Sequence, residues 1–186
     1  MKHIILASGS PRRKEIFELA ELSFDVMPSH VQEVITKERP EEAVMELSGQ
    51  KARDIWKKIQ GDEIIVGADT VVAFEGKILG KPKDEEDAAR MLSMLSGNVH
   101  QVYTGVTVIF QGKETSFYEE TKVRFYEIDD QEIEEYIRTG EPMDKAGAYG
   151  IQGKAAVFIR SIEGDYYNVV GFPIARFLHE MKKILS

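Results

Sequence analysis

Short apolar runs alternate along the chain with stretches in which apolar residues recur every three or four positions, and the two periods predict intermingled strands and helices. His3-Ile4-Ile5-Leu6-Ala7, bounded by Ser8-Gly9-Ser10, predicts a buried strand. A helix should follow at once, because Ser10 suits an N-cap, Pro11 suits the first helical position, and Ile16, Phe17, Leu19 and Ala20 form a stripe at helical spacing. Phe24-Asp25-Val26-Met27 alternates like a second strand and stops at Pro28, and the polar stretch 29–39 reads as a loop. From Pro40 to Ile59 the positions Ala43, Val44, Leu47, Lys51, Ile55 and Ile59 predict a long helix, acidic at its start and basic at its end as the helix dipole favours. Glu63 to Phe74 is a β-branched strand interrupted by Gly67-Ala68-Asp69-Thr70. Asp84 caps a helix through Leu95, and two long strands, 99–110 and 114–125, turn at Gln111-Gly112-Lys113. A helix from Asp129 ends at Thr139-Gly140, a Gly-rich loop 140–153 leads to a strand at 155–162, and Pro173 opens a last helix.

The long hairpin requires antiparallel pairing, so the fold class is α/β with an elongated mixed β-sheet and flanking helices. No repeat or low-complexity segment interrupts the 186 residues, which read as a single domain, 1–186, of two lobes around a central ligand cleft.

Composition narrows the function. A content of 42% hydrophobic and 30% charged residues is the usual globular mixture. No window approaches the run of about 18 apolar residues that a membrane helix needs. The opening residues pass straight into Ser8-Gly9-Ser10 rather than a long apolar signal core, so a cytoplasmic protein is expected. The chain has no cysteine, which excludes disulfides, thiolate nucleophiles and zinc sites built on Cys. A metal here should be held by carboxylates, and a hard ion such as Mg²⁺ is the natural guest. The net charge of −8 argues against nonspecific binding of long nucleic acid. A small anion is still accessible wherever positive groups concentrate locally, and Arg12-Arg13-Lys14 is the exception to an otherwise mixed surface.

Four constellations carry chemistry. In Ser8-Gly9-Ser10-Pro11-Arg12-Arg13-Lys14, a small-residue loop between strand and helix presents free N–H groups and the positive end of the helix dipole to an anion. The segment reads either as a phosphate cradle or as a capped surface helix with solvated Arg; it matches neither a Walker A loop nor a Rossmann fingerprint. In Gly67-Ala68-Asp69-Thr70, a carboxylate amid β-branched residues is costly to bury unless paired, protonated or metal-bound. The bland reading is a hydrogen-bonded Asp at a bulge. The third set is Glu33, Lys51, Lys81 and Asp144-Lys145; each taken alone reads as a surface charge, and together they are the kind of set that triphosphate hydrolysis needs around phosphate and metal. The fourth is the Gly-rich run Asp144 to Gly153, which suits either close approach to a ligand or a plain flexible loop.

Together these segments resemble the Maf family of nucleoside triphosphate pyrophosphatases. The resemblance is carried by Ser8-Gly9-Ser10-Pro11-Arg12-Arg13, Gly67-Ala68-Asp69-Thr70-Val71-Val72, Gly80-Lys81-Pro82, Ser96-Gly97 with His100 and Thr104-Gly105-Val106, Asp144 to Gly153, and Val170-Gly171-Phe172-Pro173. It implies a cytoplasmic pyrophosphatase related in shape to inosine triphosphatases and often found as a homodimer, acting on a nucleoside triphosphate with Mg²⁺ or Mn²⁺. By the same resemblance Asp69 is the catalytic carboxylate and a metal ligand together with Glu33, while Ser8, Ser10, Arg13, Lys51 and Lys81 bind substrate phosphates. Members often carry a second acidic residue where this chain has Gln32, which leaves Glu33 to do the metal work alone.

Arg12, Thr70 and Gln152 match the family's dTTP and UTP branch, whereas the 7-methyl-GTP branch tends to carry Trp, Gln and Glu. Physical chemistry agrees in direction. A Gln amide donates to a pyrimidine O4 and accepts from N3–H, whereas a Glu only accepts and suits the donor edge of a methylated guanine. The competing expectations are a purine-directed pyrophosphatase of the same chemistry and a nucleotide-binding regulator of cell division that needs no turnover. A nucleic-acid module fits least, given the acidic charge and the lack of interleaved aromatic and basic residues.

Overall fold

In the computed structural model, which describes residues 2–59 and 61–186, the chain runs β1 (Ile4–Leu6), α1 (Pro11–Leu19), β2 (Phe24–Val26), α2 (Pro40–Trp56), β3 (Ile64–Phe74), β4 (Lys77–Leu79), α3 (Glu85–Leu95), β5 (Val99–Phe110), β6 (Lys113–Phe125), α4 (Asp130–Ile137), β7 (Ile159–Glu163), α5 (Tyr166–Val170) and α6 (Ile174–Ile184). The sheet is mixed, as the hairpin demanded. Its order is β2-β1-β3-β5-β6-β7, with β4 paired to β3. β1 pairs in parallel with β2 and β3, whereas β3 with β4 and β6 with β7 are antiparallel.

Local chemistry places most boundaries. The Asp84 carboxylate accepts from Asp87 N at 2.8 Å and starts α3. Asp129 and Glu132 form a reciprocal capping box that starts α4. Gln111 and Gly112 both take positive φ, 50° and 74°, the twist a two-residue hairpin needs between β5 and β6.

The chain divides into two compact units. One comprises Met1–Thr70, Thr104–Glu119 and Gly171–Ser186, and the other Val71–Tyr103 and Glu120–Val170. In the first, Ile5, Ala7, Ala52, Ile55, Ile65 and Ile109 pack together, and Phe17 meets Phe24, Phe172 and Phe177 ring to ring. The second is built around Leu92, Leu95, Phe125, Tyr136, Tyr149 and Phe158.

Three expectations change. The helix from Pro40 ends at Trp56 rather than Ile59: Lys57 N donates to Arg53 O, and Lys58 N and Ile59 N both close on the Ile55 carbonyl. The strand expected at 155–162 begins only at Ile159. Residues Lys154–Phe158 form a 3₁₀ helix, because Ala155 and Phe158, three apart, are the two that are buried. β4 and α5 were not anticipated, since each is too short to show a period. β4 exists because Glu75 and Gly76 turn the chain back with φ of 50° and 76°.

The Gly-rich run is tied down rather than loose. The Glu141 carboxylate accepts from Lys154 N and from Tyr136 Oη, and Lys145 Nζ donates to Glu141 O at 2.8 Å. Tyr149, inside the run, meets fully buried His100 through a 2.6 Å bond between Oη and Nε2.

Candidate active site

The site starts from a close approach of helix to sheet. At Gly67 in β3 an added Cβ would stand 2.2 Å from Ser48 O and 2.8 Å from Ala52 N, both on the backbone of α2. At Gly105 in β5 it would stand 2.3 Å from Val44 O. Glycine at these two positions lets α2 lie directly on the strands. Lys51 precedes Ala52 in α2, and Asp69 shares a strand face with Gly67 because strand side chains alternate. The helix therefore delivers one side chain onto the other, and Lys51 Nζ lies 2.5 Å from Asp69 Oδ1. Lys51 and Asp69 are only 15% and 14% exposed at their side chains. Burial without a partner would be costly, and the ion pair removes that cost.

Glu33 reaches the same ammonium, 3.0 Å from Lys51 Nζ, although it lies in an irregular segment. Side chains of α2 hold that segment in place. Val34 N donates to Gln50 Oε1 at 3.0 Å while Gln50 Nε2 donates to Val34 O at 2.6 Å. Thr36 donates through both N and Oγ1 to the Glu46 carboxylate, which lowers the carboxyl below its ordinary value.

A second group forms on the other face of β3. Arg13 of α1 is buried, only 9% exposed. Its Nε donates to Gly171 O at 2.8 Å, one terminal nitrogen to Ser8 Oγ at 3.0 Å, and the other to Thr70 Oγ1 at 3.0 Å. Thr70 Oγ1 in turn lies 2.8 Å from Thr104 Oγ1, and Thr104 is fully buried. Burial pulls the guanidinium below its ordinary value, and the field of Asp69 opposes that pull. An arginine nevertheless keeps its charge in proteins. All three acceptors are neutral, and two of the five N–H groups of a guanidinium remain uncommitted. A rigid, desolvated cation of this kind is complementary to a phosphate.

Ser10 stands at the N-cap of α1 as expected, yet its side chain makes no capping bond. Arg12 is half-buried beside Arg13, and like Arg13 it makes no ion pair among the described residues. Lys81 and Gln152 belong to the second unit, where both are exposed. Of the predicted residues, then, Glu33, Lys51 and Asp69 share one cluster, and Ser8, Arg13 and Thr70 another. Neither Thr104 nor Gly171 shows a role in the sequence, and the strap of Gln50 and Glu46 is not visible there. The only available signals were the positions of Thr104-Gly105 and Gly171 in motifs, and nothing pointed to the strap.

Residues 3–184 match the family described as Maf-like protein. The chain is 52% identical over 201 residues to a dTTP/UTP pyrophosphatase of Agathobacter rectalis, covering 99% of this chain and 98% of that protein. It is 51% identical over 184 residues to a dTTP/UTP pyrophosphatase of Bacillus cereus strain G9842, covering 98% and 96%. Among solved structures, a HAM1 protein from Coxiella burnetii shares the fold, with a TM-score of 0.53 at 14% identity over 100% of this chain and 98% of that one. With its motifs in order, its mixed α/β sheet and a match that runs nearly end to end, this chain belongs to the Maf-like protein family.

Proposed function

We propose that the protein hydrolyses dTTP and UTP to the nucleoside monophosphate and pyrophosphate. The observation that carries this reading is a buried, phosphate-ready Arg13 lying within the field of Asp69 and Glu33, the two carboxylates that meet at Lys51. The similarity to two dTTP/UTP pyrophosphatases at 52% and 51% identity supports the choice of substrate.

In this reading Arg13 and Ser8 hold phosphate oxygens, and Lys51 and Lys81 add positive charge as the leaving group departs. A water oxygen bonds to the α-phosphorus, the bridging bond to the β-phosphate breaks, and Asp69 takes the water's proton. Pyrophosphate leaves with the bonding electron pair. Thr70 works through Arg13, because its hydroxyl accepts from that guanidinium. Arg12 and Gln152 select the base.

The donor set suits a divalent cation that arrives with its substrate. Among the described residues no three Asp, Glu or His side chains gather into a metal cluster, but Asp69 and Glu33 converge on one ammonium. Mg²⁺ is commonly held by one or two carboxylates plus substrate phosphates, so these two would hold Mg²⁺ or Mn²⁺. When bound, the ion would offset charge on the triphosphate.

The test is incubation of the purified protein with a panel of pyrimidine and purine triphosphates and Mg²⁺, followed by identification of the phosphate products. Monophosphate and pyrophosphate from dTTP and UTP are expected. Diphosphate and orthophosphate, or preference for a purine, would overturn the proposal.

A further inference from the structure

The chain has nine arginines, and five of them, Arg39, Arg53, Arg90, Arg138 and Arg176, sit in ion pairs. Two of the remaining four are Arg12 and Arg13 of the candidate active site. The side chains of the other two, Arg124 and Arg160, make neither an ion pair nor a hydrogen bond among the described residues, and they line one cavity.

That cavity measures about 390 Å³ and lies wholly within the second unit, lined by Gly97, Arg124, Phe125, Tyr126, Glu127 and Arg160. The two arginines come from neighbouring strands. In the antiparallel register of β6 and β7, Phe125 faces Ile159 and Arg124 faces Ser161, so Arg160 is the extra residue of a β-bulge. A bulge re-aims side chains, and here it places Arg160 5.8 Å from the centroid of the Tyr126 ring. The walls are fixed by backbone bonds: Gly97 N donates to Tyr126 O at 2.9 Å, Phe125 N to Asn98 O at 3.0 Å, and Tyr126 N to Phe158 O at 2.8 Å. Gly97 holds φ of 70°, and an added Cβ there would press on Glu127 Cγ at 3.2 Å.

We propose that this cavity is a second, non-catalytic site for a nucleotide. Two unpaired guanidinium groups match a phosphate. Tyr126 is 53% exposed and offers a ring face to a base. Glu127, an acceptor without an ion-pair partner among the described residues, faces the sugar hydroxyls. The volume falls within the range of about 300–1,000 Å³ usual for small-molecule sites. Inorganic phosphate alone would leave the ring and the carboxylate unused.

The test titrates the intact protein with adenosine 5′-monophosphate, which has no phosphoanhydride bond for a pyrophosphatase to cut, and with ribose 5-phosphate, which lacks the base. Wild-type protein should bind the monophosphate with amide NMR shifts at Gly97 and Tyr126. Joint replacement Arg124→Ala and Arg160→Ala should weaken it at least about tenfold while dTTP turnover stays within about twofold. Tyr126→Ala should weaken the monophosphate but not ribose 5-phosphate. Absence of shifts at Gly97 and Tyr126, or unchanged affinity in the double variant, overturns the site. Equal loss of both ligands in Tyr126→Ala overturns the recognition of a base. The NMR shifts decide the matter even if a variant folds poorly.

Discussion

Lys51 Nζ lies 2.5 Å from Asp69 Oδ1, so a helix and a strand meet at the site through one ion pair. Asp69→Asn removes the proton acceptor and half of that pair while keeping the volume. It should leave the fold intact and lower kcat at least about a hundredfold, the usual scale for a positioned acid–base group. Circular dichroism and steady-state kinetics with dTTP check this, and near wild-type turnover would move the chemistry elsewhere, with Glu33 the next candidate.

Arg13 donates to Gly171, Ser8 and Thr70 from the planar fork of one guanidinium. Lys cannot reproduce that fork, so Arg13→Lys keeps the charge and loses the orientation. A fall in kcat/KM of roughly tenfold to a hundredfold is expected, since one charge-assisted hydrogen bond is worth about 1.5–3 kcal/mol. Full activity in the lysine variant would show that charge alone suffices.

Gly67→Ala tests how the pair is positioned. The new methyl would meet backbone atoms of α2 at 2.2 and 2.8 Å, and backbone cannot swing aside as a side chain can. The helix must shift, at a cost on the order of 1–3 kcal/mol, and Lys51 shifts with it. Urea denaturation should register the lost stability, and turnover should fall as well. An alanine variant that equals wild type in both would refute the close approach.

Gln152→Glu addresses specificity. If the amide both donates and accepts at the pyrimidine edge, the carboxylate leaves two acceptors facing each other, costing on the order of 1–3 kcal/mol. Efficiency with dTTP and UTP should then fall roughly tenfold to a hundredfold relative to GTP derivatives. An unchanged ratio would make Gln152 a mere surface residue of its turn.

Stability should depend on pH through His100. Burial holds its imidazole at about 4, below the ordinary 6.5, so as pH falls the unfolded chain takes up the proton first. The neutral buried ring therefore contributes fully above pH 6.5, and the contribution is lost as pH falls towards about 4. At about 1.4 kcal/mol per unit, roughly 2 kcal/mol should be gone by about pH 5. Urea midpoints across this range, compared with His100→Phe, isolate the effect, because carboxylates such as Glu46 and Asp54 titrate in both proteins. Parallel pH profiles in the two would refute it.

The sequence alone was enough to determine the elements whose causes are local. Asp84 and Asp129 announce their helices by bonds made within one turn, and Gln111-Gly112-Lys113 marks a turn between two long strands, although Lys113 already belongs to β6. Arg13 and Asp69 also stand out as candidates, since paired arginines after a small-residue loop and a carboxylate in a β-branched run are unusual, whereas Lys51 taken alone reads as a surface charge. Short elements were not legible. β4, α5 and the 3₁₀ turn at Lys154–Phe158 bury too few residues to impose a period, and packing decided them. Only the tertiary structure decided which charges meet. Lys51 and Asp69 are 18 residues apart, and Arg13 and Gly171 are 158 apart. No local propensity encodes such distances. The meeting of Lys51 and Asp69 rests on how closely α2 can approach β3 and β5, and that depends on the absence of a side chain at Gly67 and Gly105.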